Sequence, residues 1–395
     1  MTFAKRIFAA VLAACMMLTL AACHQKDEVV MTIDGVEISS GLYLMYMMNA
    51  TDQFRSGIEE GLKEGEKAPE DLAGYLKLKL DDKDAITWIR EKTEDNCREH
   101  AWVENTFAKN KLKLGDYAAS VDQYVSMYWD SYGYGAYYEA NGVSRSTFTK
   151  YYETLFKEQV VFEYFYGEKG PEAVSADTIK TTFIEKYLLI EYFTASLTDD
   201  DSKDLAAAKI TEIKKSLDAL VEKINDGDMT VKEAGAKFEE EQKKNDTSSS
   251  TSSGTSSGAS SAGSSAADSS VASTGSAATS SAVTSSKEEN PALYPDAVVV
   301  TSDDTSGMYA LLKDVKERDK AAVYKDDTNK QYIVALLRDP AKDYEHYKED
   351  YRLTVLHDLK DDAFEKKLET ETAKLKADID ESLVKYYSPK KIKES

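Results

Sequence analysis

Few side chains in this sequence could carry covalent or metal chemistry. The 395-residue chain has four histidines, His24, His100, His346 and His357, and three cysteines, Cys15, Cys23 and Cys97. No histidine pair has the H-E-x-x-H spacing that sets two imidazoles on one helix face for zinc. There is no Cys-x-x-Cys, no glycine-rich phosphate loop and no G-x-S-x-G elbow. The acidic runs "TDDDSKD" (198–204) and "SDDTSG" (302–307) lack the ligand spacing and closing glutamate of a calcium loop, and read as solvated loops. The expectation is no metal and no cofactor. What remains is binding chemistry. "MYWDSYGYGAYY" (127–138) places Tyr128, Trp129, Tyr132, Tyr134 and Tyr137 in one stretch. Tyrosine offers a broad apolar face with a polar tip. A second stretch, "LYLMYMM" (42–48), adds methionine, which adapts to varied shapes. Both suit capture of apolar polypeptide, while packing in a core is the simpler explanation of either.

The N-terminus names a compartment. "MTFAKRIFAAVLAACMMLTLAAC" has a basic start at Lys5 and Arg6, an apolar run over 7–20, and small residues before Cys23. Leu20-Ala21-Ala22-Cys23 resembles the bacterial lipobox. The resemblance implies that 1–22 are removed, that Cys23 is lipidated, and that the chain sits on the extracytoplasmic face of a bacterial membrane. The apolar run is short for a span, which needs about 20 residues, so lipid is the expected anchor. Cys97 is then the last thiol of the folded part, which rules out an intramolecular disulfide. It follows Ile89 and Thr93 at helical spacing and reads as a small buried hydrophobe. Net charge is −21, and two units more negative without Lys5 and Arg6. Phosphate-backbone binding needs a basic surface, so nucleic acid is not an expected partner.

Several elements must position these residues. "VVMTIDGVEIS" predicts a hairpin with arms 30–33 and 36–38 around Asp34-Gly35. Ser39 then caps a helix that is apolar all round. A stronger helical period starts at Asp84. Another helix carries Tyr117, Val121, Tyr124 and Tyr128 on one face, and "SYGYGAYYEANG" breaks it. Ser144 caps a long helix that stops at Gly167. "VSADTIKTTFIEKY" is a shorter capped helix. At Leu188 the period changes to a strand, "LLIEYFTASLT". Two helices lead into a serine tract, and strand, short helix and strand follow it. A long helical stretch begins near Tyr344. The class is α+β, mostly helical.

The tract, 247–286, holds 19 serines, a single charge at Asp268 and no aromatic residue. It cannot bury enough apolar surface to order itself and reads as a flexible linker. A strand with two helices before it, and a strand, short helix and strand after it, are each too little for a sheet that stands alone. Joined, they give β-α-α-β-α-β, so the tract reads as an insert inside one domain. Loop-closure cost grows only logarithmically with length.

These pieces, in this order, resemble a known family. The hairpin with its helix, and "NGVSRSTFTKYYETLFKEQ", resemble the SurA-type N-terminal chaperone module. "VSADTIKTTFIEKY" with its strand, "AKITEIKKSLDALVEKINDGDMTVKEAGAKFEEE" and "AAVYKDDTNKQYIVALLRD" resemble a parvulin prolyl-isomerase domain. "LVKYYSPKKI" resembles the C-terminal helix that returns to the chaperone lobe. The whole is similar to PrsA/SurA-type extracytoplasmic foldases over most of 28–392. The resemblance implies a signal peptide over 1–22, a tether over 23–28, and a helical chaperone lobe over 29–186. It further implies a parvulin-like domain over 187–340 with a disordered insert at 247–286, and C-terminal helices over 341–395 packing on the lobe. Parvulins carry a histidine in the first strand and another in the last. Here those positions fall at Tyr192 or Phe193 and at Tyr332, and no histidine lies in either strand.

The expected function is a membrane-anchored chaperone that binds unfolded or nascent secreted polypeptides, with little or no isomerase activity. Tyr128, Trp129, Tyr132, Tyr134 and Tyr137 are the candidate client-binding residues. Tyr192, Phe193 and Tyr332 mark the degenerate isomerase pocket. An active parvulin-type isomerase is the alternative within the family. A surface binding lipoprotein for a small ligand, wall polymer or protein partner is the alternative outside it. The sequence does not set the oligomeric state.

Overall fold

A two-residue turn with both backbone φ angles positive, Asp34 at 44° and Gly35 at 84°, opens the described chain. In this computed structural model the described residues are 28–63, 65–199, 202–249 and 292–394. The leader with Cys15, Cys23 and His24, and the serine tract 247–286 from residue 250 on, lie outside them. The turn joins β1 (Val29–Ile33) to β2 (Val36–Ser39), as the alternation predicts. Ser39 Oγ accepts from the Leu42 amide and starts α1 (Ser40–Glu60), which runs further than its apolar stretch. A short helix α2 (Leu72–Tyr75) and a miniature hairpin, β3 (Lys79–Leu80) with β4 (Lys83–Asp84), follow. Asp84 caps α3 (Ala85–Lys109) through the Thr87 amide. Then come α4 (Tyr117–Val125), a π-helical turn (Ser126–Ser131) and α5 (Gly135–Ala140). The glycine-rich stretch breaks the helix as expected, at 132–134 with Gly133 at a φ of 75°, and then forms the six-residue helix α5. Ser144 caps α6 (Arg145–Tyr166) through the Thr147 amide.

Ser175 caps α7 (Ala176–Lys186). β5 (Leu188–Ser196), α8 (Ala207–Asn225) and α9 (Val231–Ser249) complete the part before the tract. Thr230 and Glu233 form a reciprocal capping box at the start of α9. After the tract come β6 (Val298–Val300), α10 (Met308–Leu312), β7 (Ala321–Asp326) and β8 (Gln331–Arg338). α11 (Pro340–Thr372) begins four residues before Tyr344, since proline fits the first turn of a helix. β9 (Ala377–Ile379), α12 (Glu381–Tyr386) and a 3₁₀ turn (Pro389–Lys391) end the chain.

The chain divides into two compact units. One holds residues 28–173 and 360–394, the other 174–249 and 292–359, among those described. The boundary falls at 173, not after 186, because α7 packs with the sheet unit. Phe183 stacks on Tyr187 and meets Tyr344 and Tyr347. The first part of α11, expected with the C-terminal helices, belongs to the same unit for the same reason.

In the helical unit, α1 lies at the centre. Leu42, Tyr43, Leu44, Met45, Tyr46, Met47 and Met48 are all buried, so "LYLMYMM" is core and offers no binding surface. Cys97 is fully buried and free. β9 pairs antiparallel with β1, making a three-stranded sheet of order β2-β1-β9 that ties the C-terminal segment to the opening hairpin. In the sheet unit the order is β6-β5-β8-β7, with every pair antiparallel. β5 lies before the tract and its partners β6 and β8 after it, so the two halves build one sheet. β7, which the sequence reading merged with the closing strand, adds a hairpin. One face packs on α8 and α9 through Ala195, Val334 and Leu336 against Leu217, Leu220 and Val231. The other packs Ile190, Ile333 and Leu337 on Met308 and Leu312 of α10.

Candidate functional site

Val121, Val125 and Trp129 recur every four residues and point into the helical unit. That leaves Tyr117, Tyr124 and Tyr128 along the outer flank. The π turn closes with the Tyr132 amide donating to the Met127 carbonyl, five residues back. Trp129 is the anchor: its ring lies 5.2 Å from Phe148 and stacks at 6.1 Å on Tyr138. Gly135 presses against the indole so closely that a Cβ there would sit 2.6 Å from Trp129 Nε1. With the tryptophan fixed inside, the following tyrosines are delivered to the surface. Tyr132 is 59% exposed and Tyr134 39%.

α6 completes the surface. Tyr152, Leu155 and Phe156 share a helix face, being three or four residues apart. Tyr128 meets Tyr152 at 5.7 Å, Tyr132 at 5.4 Å and Tyr134 at 6.4 Å. Tyr124 bridges Tyr152 and Phe156 at 6.1 and 5.6 Å. Tyr117 closes the far end against Phe156, and its hydroxyl donates to Glu163 at 2.6 Å. Leu155, 41% exposed, adds an aliphatic patch. The result is a continuous row of rings with hydroxyl tips. Partial burial, then the neighbouring tyrosines, push the Tyr128 and Tyr152 hydroxyls above the usual phenol range.

The candidate client-binding residues divide on this evidence of packing. Trp129 belongs to the core. Tyr137 is half-buried, and burial pushes its hydroxyl up to about 12. Tyr128, Tyr132 and Tyr134 form the surface row. Tyr124, Tyr152, Leu155 and Phe156 were missed as site residues. The 117–128 periodicity and the two-residue run Tyr151-Tyr152 signalled them, but only pairing of α4 with α6 brings them together.

The isomerase-pocket positions do not converge. β5 and β8 are adjacent, with Tyr192 opposite Ala335, Phe193 opposite Val334, and Ala195 opposite Tyr332. Phe193 and Tyr332 thus share the face covered by α8 and α9. Gly235 of α9 lies against the Phe193 ring, Phe238 is 6.1 Å from it, and Tyr332 is buried. Tyr192 points to the opposite face and is 41% exposed. Phe193 and Tyr332 are sheet packing, and Tyr192 is a surface ring on the other face.

A cleft of about 340 Å³ lies further along the helix-covered face, lined by Glu191, Asn225, Thr230, Glu233, Asp319 and Arg338, among others. Its basic and several of its acidic groups pair with one another. Arg338 bonds Glu191 at 2.8 Å and Asp319 at 3.1 Å, and Lys342 bonds Asp319 at 2.8 Å. Among the described residues no group of three or more histidine, cysteine or acidic side chains could hold a metal ion, and no described helix is long and apolar enough to cross a membrane. His100 is buried in the helical unit with Tyr46 Oη 3.0 Å from its Nδ1. His346 and His357 lie in α11. No protein-family model matches the chain, and no curated protein is significantly similar to it.

Proposed function

We propose that this chain is a lipid-anchored extracytoplasmic chaperone of the PrsA/SurA type, which holds unfolded secreted polypeptide on its helical unit. The observation that carries the reading is the exposed pair Tyr132 and Tyr134, continued by the half-buried rings of Tyr128, Tyr152 and Phe156. Exposed aromatic rings in contiguous array cost solubility, and large exposed apolar patches mark interaction sites. Rings with hydroxyl tips accept many apolar partners without demanding one sequence. The β6-β5-β8-β7 sheet supports the parvulin-like half of the reading, since its first and last strands are neighbours, as a site drawing on both requires. Those strands carry Tyr192, Phe193 and Tyr332 where isomerases carry histidine, with Phe193 and Tyr332 packed under a helix. Holding, with little or no proline isomerisation, is the activity this favours.

Light scattering from an unfolded secreted protein tests the reading. The chain is expected to suppress aggregation at stoichiometric amounts and to leave a proline-limited refolding rate unchanged. No protection at a molar excess would overturn the holding function. A rate enhancement would establish the isomerase instead.

A further inference from the structure

Tyr132 and Tyr134 differ from Tyr386, another exposed tyrosine of their unit, in one respect, and the difference specifies what they bind. Elsewhere in the helical unit several rings carry one of the protein's own cations. Lys391 Nζ lies 3.8 Å over the Tyr386 ring, Lys367 4.5 Å over Phe165, Lys360 5.5 Å over Tyr166, and Arg55 5.2 Å over Tyr75. Tyr386 is the instructive case, because at 51% exposed it is as open as Tyr132 and still carries a lysine. Among the described residues no lysine or arginine lies over Tyr128, Tyr132, Tyr134 or Tyr152. A ring face is electron-rich and attracts a cation, more strongly once water is excluded. Tyr128 and Tyr152 spend their faces on stacking with each other and, for Tyr128, with Tyr134, whereas the exposed Tyr132 and Tyr134 keep open ring surface for a cation.

The surrounding charge has the matching sign. Residues 116–163 carry seven carboxylate side chains and three cationic ones. Two of the three cations are already engaged. Arg145 bonds Asp130 at 2.7 Å, and Lys157 lies between Glu104 and Glu153 at 2.9 Å from each. Lys150 is the third, exposed on α6. Asp116, Asp122 and Glu139 are exposed acids of the same segment. A cationic, partly apolar chain is thus drawn in by charge and seated by rings.

Resting on the holding function proposed above, we infer that the row selects unfolded segments in which lysine or arginine is interspersed with apolar residues, the cations lying over Tyr132 and Tyr134. Apolar burial then comes from Leu155 and Phe156 beside them.

Two fluorescent 12-residue peptides test this, identical except that two arginines in one are citrulline in the other. Citrulline keeps the planar shape and removes the charge. Anisotropy titration against the full chain is expected to show the arginine peptide binding about tenfold more tightly or better. Tyr132→Leu with Tyr134→Leu keeps apolar area but removes the ring faces. That variant, checked for an unchanged melting temperature, is expected to bind the two peptides with affinities within about twofold. Equal affinities for the unmutated chain would overturn the inference while aggregation suppression, measured separately, keeps the holding function standing. Failure of both peptides to bind would also overturn it. A preference that persists in the leucine variant would place the cation elsewhere and overturn the assignment to these rings. A clear arginine preference in a chain that suppresses no aggregation would support the ring site and remove the chaperone reading.

Discussion

Two tyrosine-bearing regions of this molecule start from the same chemistry and finish differently. On the sheet, Phe193 and Tyr332 lie under α8 and α9, and their rings fill a core. On α4, the π turn and α6, Tyr128, Tyr132 and Tyr134 touch one another with nothing described above them. The difference lies in the cover rather than in the residue type. A helix packed on a sheet turns aromatic rings into structure. The outermost layer of a helical unit leaves them as a surface, and here Trp129 beneath supplies the rigidity that keeps that surface in place.

The comparison breaks most visibly at the anchor. Trp129→Ala removes a buried indole and is expected to cost about 3–5 kcal/mol in chemical denaturation. Tyr132→Ala, three residues on and exposed, is expected to change stability by no more than about 0.5 kcal/mol. Similar losses for both would mean that Tyr132 is structural too. On the sheet side, Tyr332→Ala is expected to cost about 3 kcal/mol, as for a buried aromatic ring, with no change in proline-limited refolding of a substrate. A stable variant that altered that rate would return Tyr332 to a catalytic pocket. Gly135→Ala sharpens the account of the anchor. Its Cβ would meet the indole at 2.6 Å, and overpacking of this kind costs about 1–3 kcal/mol. Unchanged stability would show that Trp129 is free to shift.

A pH-dependent effect concerns the inner side of the same helical unit. Burial, then the positive charges of Lys150 and Lys157, lower the His100 imidazole from 6.5 to about 3. The unfolded chain protonates this group below about pH 6.5, whereas the folded chain does not until about pH 3. Between those values the unfolded state binds more protons, so stability falls as the pH falls. His100→Gln is expected to flatten that part of the stability profile relative to the unmutated chain. Parallel profiles for the two proteins between pH 6 and 4 would contradict the burial of a neutral imidazole.

Much of the fold was legible because local signals and tertiary packing agree. Asp34-Gly35 takes the positive φ pair that its hairpin needs, and Ser39, Asp84, Ser144 and Ser175 each cap the helix they precede. β9 was not legible, since three residues carry no alternation and their partner β1 lies more than 340 positions away. The π turn was hidden because it continues the helical burial of Val121 and Val125 to Trp129 without an obvious break in pattern. Alternation along β5 correctly put Phe193 and Tyr192 on opposite faces, but not which face α9 would cover. Of the candidate site, the tyrosines of 128–134 were visible in composition. Tyr152, Leu155 and Phe156 were not, because they join the row only through helix–helix packing.

The central claim is that the exposed rings, and not the buried ones, hold the client. Its most direct test is light scattering of an unfolded secreted protein with the unmutated chain and with a Tyr128→Ser, Tyr132→Ser, Tyr134→Ser triple variant, alongside the melting temperature of each. The account predicts full suppression by the first, at least tenfold weaker suppression by the second, and melting temperatures within a few degrees. Equal suppression by a folded triple variant would contradict it.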